Sequence, residues 1–181
     1  EALEDHNFFT SSVQYVEPYR TWLVKYCQSW GEYLSSSESW NKEYEELMMI
    51  QEELGMTKGW YEDPSNWHSF NDFFARYLKS ADQRPIAEPN DASVVVSPCD
   101  SEPQGVWAID QDSYIVTDDK IAVKSRVFNS VKNLISPESP YCDAFAGGTF
   151  YHAFLNVNDY HRYHFPVDGV IRELRVIPGD D

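Results

Sequence analysis

Ten residues of this 181-residue chain, Asp159 to Asp168, carry two imidazoles, one guanidinium and two carboxylates: His161, His164, Arg162, Asp159 and Asp168. Phe154, Leu155, Tyr160, Tyr163 and Phe165 flank them. Apolar walls move histidine and carboxylate pKa values, so the composition suits proton transfer. If the segment is extended, His161 and Tyr163 face one way while Arg162 and His164 face the other. If it is helical, the two histidines share a face. A zinc site would need three or four ligands, and His-x-x-His supplies two, leaving His152, Asp159 or Cys142 to complete it. No CxxC or HExxH pattern accompanies the pair, so no metal is expected. Packed, hydrogen-bonded histidines beside a Pro-Val-Asp-Gly turn are the structural alternative to acid/base work.

The elements that must position this stretch are legible in outline. Glu1 to Ser12 reads as a frayed, polar start. Tyr19, Trp22, Leu23, Tyr26 and Trp30 recur at three and four, with Pro18 in a first turn, which predicts an amphipathic helix ending near Gly31. After the break at Ser35-Ser-Ser37, Leu47, Ile50 and Leu54 mark the apolar face of a second helix. Glu43, Glu45, Glu46, Glu52 and Glu53 lie on its solvated face, and Gly55 stops it. Met48 and Met49 read as core filling. Gly59 to Trp67 is a loop with a turn at Asp63-Pro-Ser. Ser69, with Asp72 as capping-box partner, opens a third helix whose stripe of Phe70, Phe73, Phe74, Tyr77 and Leu78 is core.

Past Gln83-Arg-Pro-Ile the pattern changes to strands, at Val94 to Val96, Val106 to Ile109, Tyr114 to Val116 and Ile121 to Val123. A short helix is expected at Phe128 to Leu134. A strand from Phe150 to Val157 leads into the chemical stretch, and a last one follows Gly169 through Ile171, Glu173 and Arg175. Pro98-Cys-Asp-Ser101 echoes Pro166-Val-Asp-Gly169, as two halves of a duplicated β unit would. Helices first and strands afterwards predict an α+β fold. Residues 1–85 form a helical N-terminal extension and 86–181 a mostly antiparallel β domain.

Asp159-Tyr-His-Arg-Tyr-His-Phe-Pro-Val-Asp-Gly169 resembles the Asp-Tyr-His-Arg-x-His signature of the phosphatidylserine decarboxylase family. Phe70-Asn-Asp-Phe-Phe-Ala-Arg76 with Arg84-Pro-Ile86 resembles that family's entry segment, and Val95-Val-Ser-Pro-Cys-Asp100 its Ser-Pro-Ala-Asp-Gly motif. Asp119-Lys-Ile-Ala-Val-Lys124 and Gly147-Gly-Thr-Phe150 fall in the expected order between them. The resemblance covers roughly residues 67 to 181, and five matches in sequence order make coincidence a poor account of it.

The resemblance implies a proenzyme in which a serine, in a Gly-Ser context, attacks its own preceding carbonyl and becomes a pyruvoyl group. That group forms a Schiff base with the substrate amine and takes up the electrons released with CO2. By position in the motifs, His164 is the base for self-cleavage and Asp100 its orienter, in the manner of a Ser-His-Asp triad. His161 acts in decarboxylation. Arg162 and Tyr163 are placed at the substrate, although an ion pair with Asp159 is the preferred partner for Arg162.

Two features depart from the family pattern. Cys99-Asp-Ser101-Glu102 stands where the family reads Ala-Asp-Gly, and no Leu-Gly-Ser or Gly-Gly-Ser follows the histidines. The chain is therefore expected to be the N-terminal, β-chain portion, a β domain incomplete without the C-terminal α chain, its partner. The implied substrate is phosphatidylserine or a free amino acid such as tryptophan, since Trp30-Gly-Glu-Tyr-Leu-Ser-Ser36 resembles the N-terminal extension of soluble relatives. A non-catalytic homologue acting as a binding or assembly module is the reading from another class.

Composition narrows the partners. With 14 basic and 30 acidic residues the net charge is −16, which argues against nucleic acid and against electrostatic adhesion to anionic lipid. No apolar run approaches the roughly 20 residues of a membrane span, so a soluble, cytoplasmic protein is expected. Cys27, Cys99 and Cys142 are scattered and odd in number, which predicts free thiols and gives Cys99, beside Asp100, a packing role.

Overall fold

The computed structural model describes residues 16–117, 121–123 and 126–175. In chain order the elements are α1 (Tyr19–Leu34), α2 (Lys42–Met49), α3 (Phe70–Phe74), β1 (Glu102–Ala108), β2 (Ile121–Val123), β3 (Arg126–Phe128), α4 (Val131–Ile135) and β4 (Thr149–Phe154), with short 3₁₀ turns between the helices. Helices precede strands, β2 pairs antiparallel with β3, and β1 pairs with β4. This is an α+β chain. Its contacts separate two compact units, one built around Pro103–Ala153 and the other from Val24–Glu102 with Phe154–Arg172.

The helices differ from their expected lengths for local reasons. α1 runs past Gly31 to Leu34, where the Ser35 and Ser36 hydroxyls donate to the Gly31 and Tyr33 carbonyls and close the last turn. The second helix ends at Met49 instead of reaching Gly55. A separate 3₁₀ turn, Glu52–Leu54, follows it, and Gly55, at φ 65°, caps that turn in the left-handed region a Cβ disfavours. Its expected apolar face is also corrected: Leu47 and Ile50 are 49% and 71% exposed. Met48 and Met49 pack on the core instead, as fillers. The third helix is capped by Ser69, whose hydroxyl accepts from the Asp72 amide, but it stops at Phe74. Asp72 reaches back to the His68 amide. Beyond it Tyr77 is exposed, and Leu78 bridges antiparallel to Tyr61.

The core of the Val24–Glu102 unit is a cluster of Trp40, Leu54, Met56, Trp67 and Phe73. Phe73 lies stacked on Trp40 with ring centroids 4.9 Å apart and meets Trp67 edge-on at 5.5 Å. The buried Ser39 hydroxyl accepts from the Phe70 amide at 2.9 Å, tying the start of α3 to the turn after α1. In the other unit Ile109, Ile115 and Val131 are buried together, with Trp107, Leu134, Ile135 and Phe150 packed against them.

Arg76 closes the first of these cores in an unusual way. It is 1% exposed, its guanidinium carbon lies 4.3 Å from the Tyr61 ring centroid, and among the described residues no carboxylate pairs with it. Its Nη atoms donate at 3.4 Å to the Phe73 and Leu54 carbonyls and the Tyr61 hydroxyl, and its Nε has no partner. Packing of the stem and the cation on aromatic faces therefore outweigh ion pairing here. Arg76→Ala in the full-length protein is expected to lower stability by about 3 kcal/mol, whereas Arg76→Met, keeping the volume, costs under about 1.5 kcal/mol. Denaturant midpoints measure both, and equal losses would show that the charge matters more than the packing.

Several expected strands are not strands. Val94 to Val96 and the stretch after Gly169 carry no regular ladder, and Tyr114 and Ile115 form single bridges, to Ser130 and Ile109. The segment through Glu173 and Arg175 is held by side chains, with Glu173 accepting from the Ser139 hydroxyl and from Arg175. The short helix forms over Val131–Ile135, after β3 has taken Phe128. The start at Glu1 to Ser12, part of Asp119–Lys124 and the end beyond Arg175 lie outside the described residues.

Candidate functional site

The residues singled out for chemistry fall in the Val24–Glu102 and Phe154–Arg172 unit. A turn starts the segment: the Asp159 carboxylate accepts from the Asn156 amide at 2.9 Å, and the Asp159 amide donates to the Asn156 carbonyl at 3.1 Å. This corrects the pairing expected for Arg162. With Asp159 turned back on its own turn, Arg162 donates from Nε to the Ala75 carbonyl at 2.7 Å and the Arg76 carbonyl at 3.3 Å. Its guanidinium carbon sits 3.4 Å from the Tyr77 ring centroid. The carbonyls freed where α3 ends are thus satisfied by the motif arginine.

Past Arg162 the chain is extended and antiparallel to residues 96–98. The Val96 amide donates to the Pro166 carbonyl at 3.0 Å, and the His164 amide to the Pro98 carbonyl at 2.7 Å. Each of these facing pairs contains a proline, which lacks the N–H for the reciprocal bond, so the ribbon has half its ladder and no regular strand assignment. The echo between Pro98 and Pro166 now has a local meaning, because the two prolines occupy diagonal positions of one ribbon. Pro98 faces His164, and the chain then bends over residues 98–100, which leaves Asp100 close enough for its charge to act on the imidazole.

Asp100 and His164 are therefore brought together, without sharing a hydrogen bond. The Asp100 carboxylate is in an ion pair with Arg84, whose other Nη donates to the Ser97 carbonyl at 3.2 Å. The His164 ring stacks on Tyr160 at 5.6 Å, and Tyr160 stacks on Tyr61 at 6.1 Å. Tyr61 in turn carries the buried Arg76. Partial burial and the Arg84 cation, with Arg162 adding to them, hold the His164 imidazole below its ordinary pKa, while Asp100 opposes the shift. Burial raises the phenol of Tyr160, which is 3% exposed, so it stays neutral. The outcome is an open-sided imidazole that is neutral near pH 7, next to a carboxylate held by a guanidinium.

His161 is on a different wall. Its ring lies 4.0 Å from the Phe74 centroid, and Nε2 is 3.2 Å from the Val157 carbonyl. A carbonyl only accepts, so Nε2 bears the hydrogen of this contact and Nδ1 is the other ring nitrogen. The extended alternative, with the two histidines facing different ways, matches this placement. Tyr163 is 76% exposed and Cys99 is buried, and all three cysteines are free. Among the described residues no three His, Cys, Asp or Glu side chains converge as metal ligands, and no helix is long and apolar enough to cross a membrane.

Arg84 and Tyr160 lie within the family-like motifs, but the motifs alone give neither a role. For Tyr160 the signal was its place beside His161. Arg84 gave none, because its partner Asp100 is 16 residues away.

The sequence model of the phosphatidylserine decarboxylase family matches residues 70–180, a span that includes α3, the proline ribbon and both histidines. The chain is similar to proteins named phosphatidylserine decarboxylase proenzyme. One from Saccharophagus degradans is 36% identical over 127 residues, 70% of this chain and 41% of that protein. One from Salmonella paratyphi B is 32% identical over 175 residues, 96% of this chain and 50% of that protein. The chain spans about half the length of the curated relatives it matches. With the family's model matched over more than half of the chain, the protein belongs to the phosphatidylserine decarboxylase family.

Proposed function

We propose that this chain provides the proton-transfer residues of a self-processing, pyruvoyl-dependent decarboxylase. The observation that carries the reading is the pairing of His164 with Pro98, which brings the Asp100 carboxylate within electrostatic reach of the imidazole. His164 removes the hydroxyl proton of a serine outside these 181 residues, and that serine then attacks the carbonyl before it. Asp100 stabilises the imidazolium that results, as the carboxylate of a triad does. The donor set fits a group made from serine. The imidazole is held below its ordinary pKa and open on one side, and the carboxylate beside it is an acceptor.

The pyruvoyl group, when bound, supplies a carbonyl that takes up the electron pair left as CO2 departs. His161, its Nε2 hydrogen held by the Val157 carbonyl, takes up a proton from solvent at Nδ1 and passes it to the substrate carbon. Arg162, its Nε already spent on backbone carbonyls, offers its remaining nitrogens to the substrate carboxylate, and the exposed Tyr163 ring flanks it. The chain partner is the C-terminal α chain released by the same cleavage. The substrate is an amine bearing an α-carboxylate, phosphatidylserine first because the relatives carry its name, with free tryptophan as the soluble comparison.

Full-length protein is expected to run as two bands on a denaturing gel and to release CO2 from phosphatidylserine vesicles; CO2 from tryptophan alone would reassign the substrate. A single uncut chain with no CO2 from either would refute the reading. The pH dependence has a definite sign. A base with a lowered pKa stays unprotonated below the ordinary histidine value of about 6.5. Self-cleavage is therefore expected to stay level down through that pH and to fall only in more acid solution.

A further inference from the structure

We propose that Arg84 is a positioning residue of this site, fixing the Asp100 carboxylate beside His164 while anchored on the Ser97 carbonyl. The inference rests on the self-cleavage reading and deepens it. Asp100 lies at the frayed end of the ribbon, where Pro98 has removed a ladder bond, and its side chain is half exposed. Left alone, a carboxylate there would sample several rotamers. Arg84 removes that freedom with a fork: one Nη pairs with Asp100 Oδ1, the other donates to the carbonyl of Ser97, three residues earlier in the chain. The guanidinium thus reads the ribbon's backbone and its acidic side chain together, which a lysine ammonium cannot do in one geometry.

The same cation acts on the imidazole. The groups around His164 are Arg84, Arg162 and Asp100 by charge and Tyr160 by stacking. Removing Arg84 takes away a repulsive charge and leaves Asp100 less compensated. Both changes favour the imidazolium, so both raise the pH at which the base is lost.

The test follows self-cleavage of full-length proenzyme made by cell-free synthesis at set pH values, for wild type, Arg84→Gln, Arg84→Lys and His164→Ala. Arg84→Gln is expected to cleave about 10²-fold more slowly at neutral pH, the scale for displacing a catalytic group by about an ångström. Its acid limb moves to higher pH. Arg84→Lys keeps the charge and loses the fork, so its rate falls while its acid limb stays with wild type. A slow Arg84→Gln with an unmoved limb overturns the inference, since lost packing alone would do that. Wild-type rates in both variants overturn it as well. If Arg84→Gln fails to fold, Arg84→Lys decides alone: a lowered rate with the limb in place supports the role, and a wild-type rate ends it. His164→Ala separates the two levels. If it cleaves normally, the self-cleavage reading and the Arg84 role fall together; if it is blocked while both Arg84 variants match wild type, only the Arg84 role falls.

Discussion

Full-length protein carrying His164→Ala is expected to remain one uncut band on a denaturing gel, with self-cleavage slowed by about 10⁴-fold, the scale for losing one member of a hydroxyl–imidazole–carboxylate set. The structure makes this a clean experiment. The bond that pins position 164 to the ribbon runs from its backbone amide to the Pro98 carbonyl, and alanine keeps it. The side chain contributes one stack on Tyr160 at an open face, worth about 1 kcal/mol. A small loss of stability with a complete loss of processing is thus the expected pair of results. Normal two-band maturation would remove His164 from the chemistry, and a variant that unfolds would make the imidazole a packing group.

The same ribbon shows what the amino-acid order revealed and what it hid. The motif pair Val95–Asp100 and Asp159–Gly169 was visible as two stretches, and the family they resemble implied that Asp100 and His164 meet. Their alignment was not visible, because it depends on two prolines that each delete a ladder bond and thereby erase the strand pattern that would announce the pairing. Helix existence was readable from the spacing of Tyr19, Trp22 and Tyr26 and from the Ser69 cap; helix length was not. The second helix stops at Met49, and Met48 and Met49 pack on the core cluster in place of Leu47 and Ile50, a choice made by tertiary packing and not by local periodicity.

Electrostatics were hidden for a related reason. A net charge of −16 suggests an acidic molecule throughout, yet the site's immediate neighbours include two arginines, Arg84 and Arg162. Local field, set by which side chains the fold brings within a few ångströms, outweighs net charge at a partly buried imidazole. The downward shift of the His164 pKa, from burial first and the two arginines next, is therefore a property of tertiary structure. Composition alone would have favoured its protonated form.

His161→Ala is expected to separate from His164→Ala by keeping self-cleavage and losing turnover. His161 lies on the Phe74 wall with Nε2 directed at the Val157 carbonyl, and it is not among the groups whose charge acts on His164. Its removal should leave the processing base and Asp100 as they are, so the protein still runs as two bands. CO2 release is expected to fall by about 10² to 10⁴, the range for losing a general acid or base. The stack on Phe74 offers a second explanation, lost packing, and His161→Phe distinguishes them. A phenyl ring can retain the aromatic contact at a cost of about 1 kcal/mol or less, yet it carries no proton. Recovered thermal stability with turnover still depressed would assign His161 to proton transfer, and recovered turnover would make it a spacer against Phe74. Uncut protein in either variant would instead join His161 to the self-cleavage step and dissolve the division of labour between the two histidines.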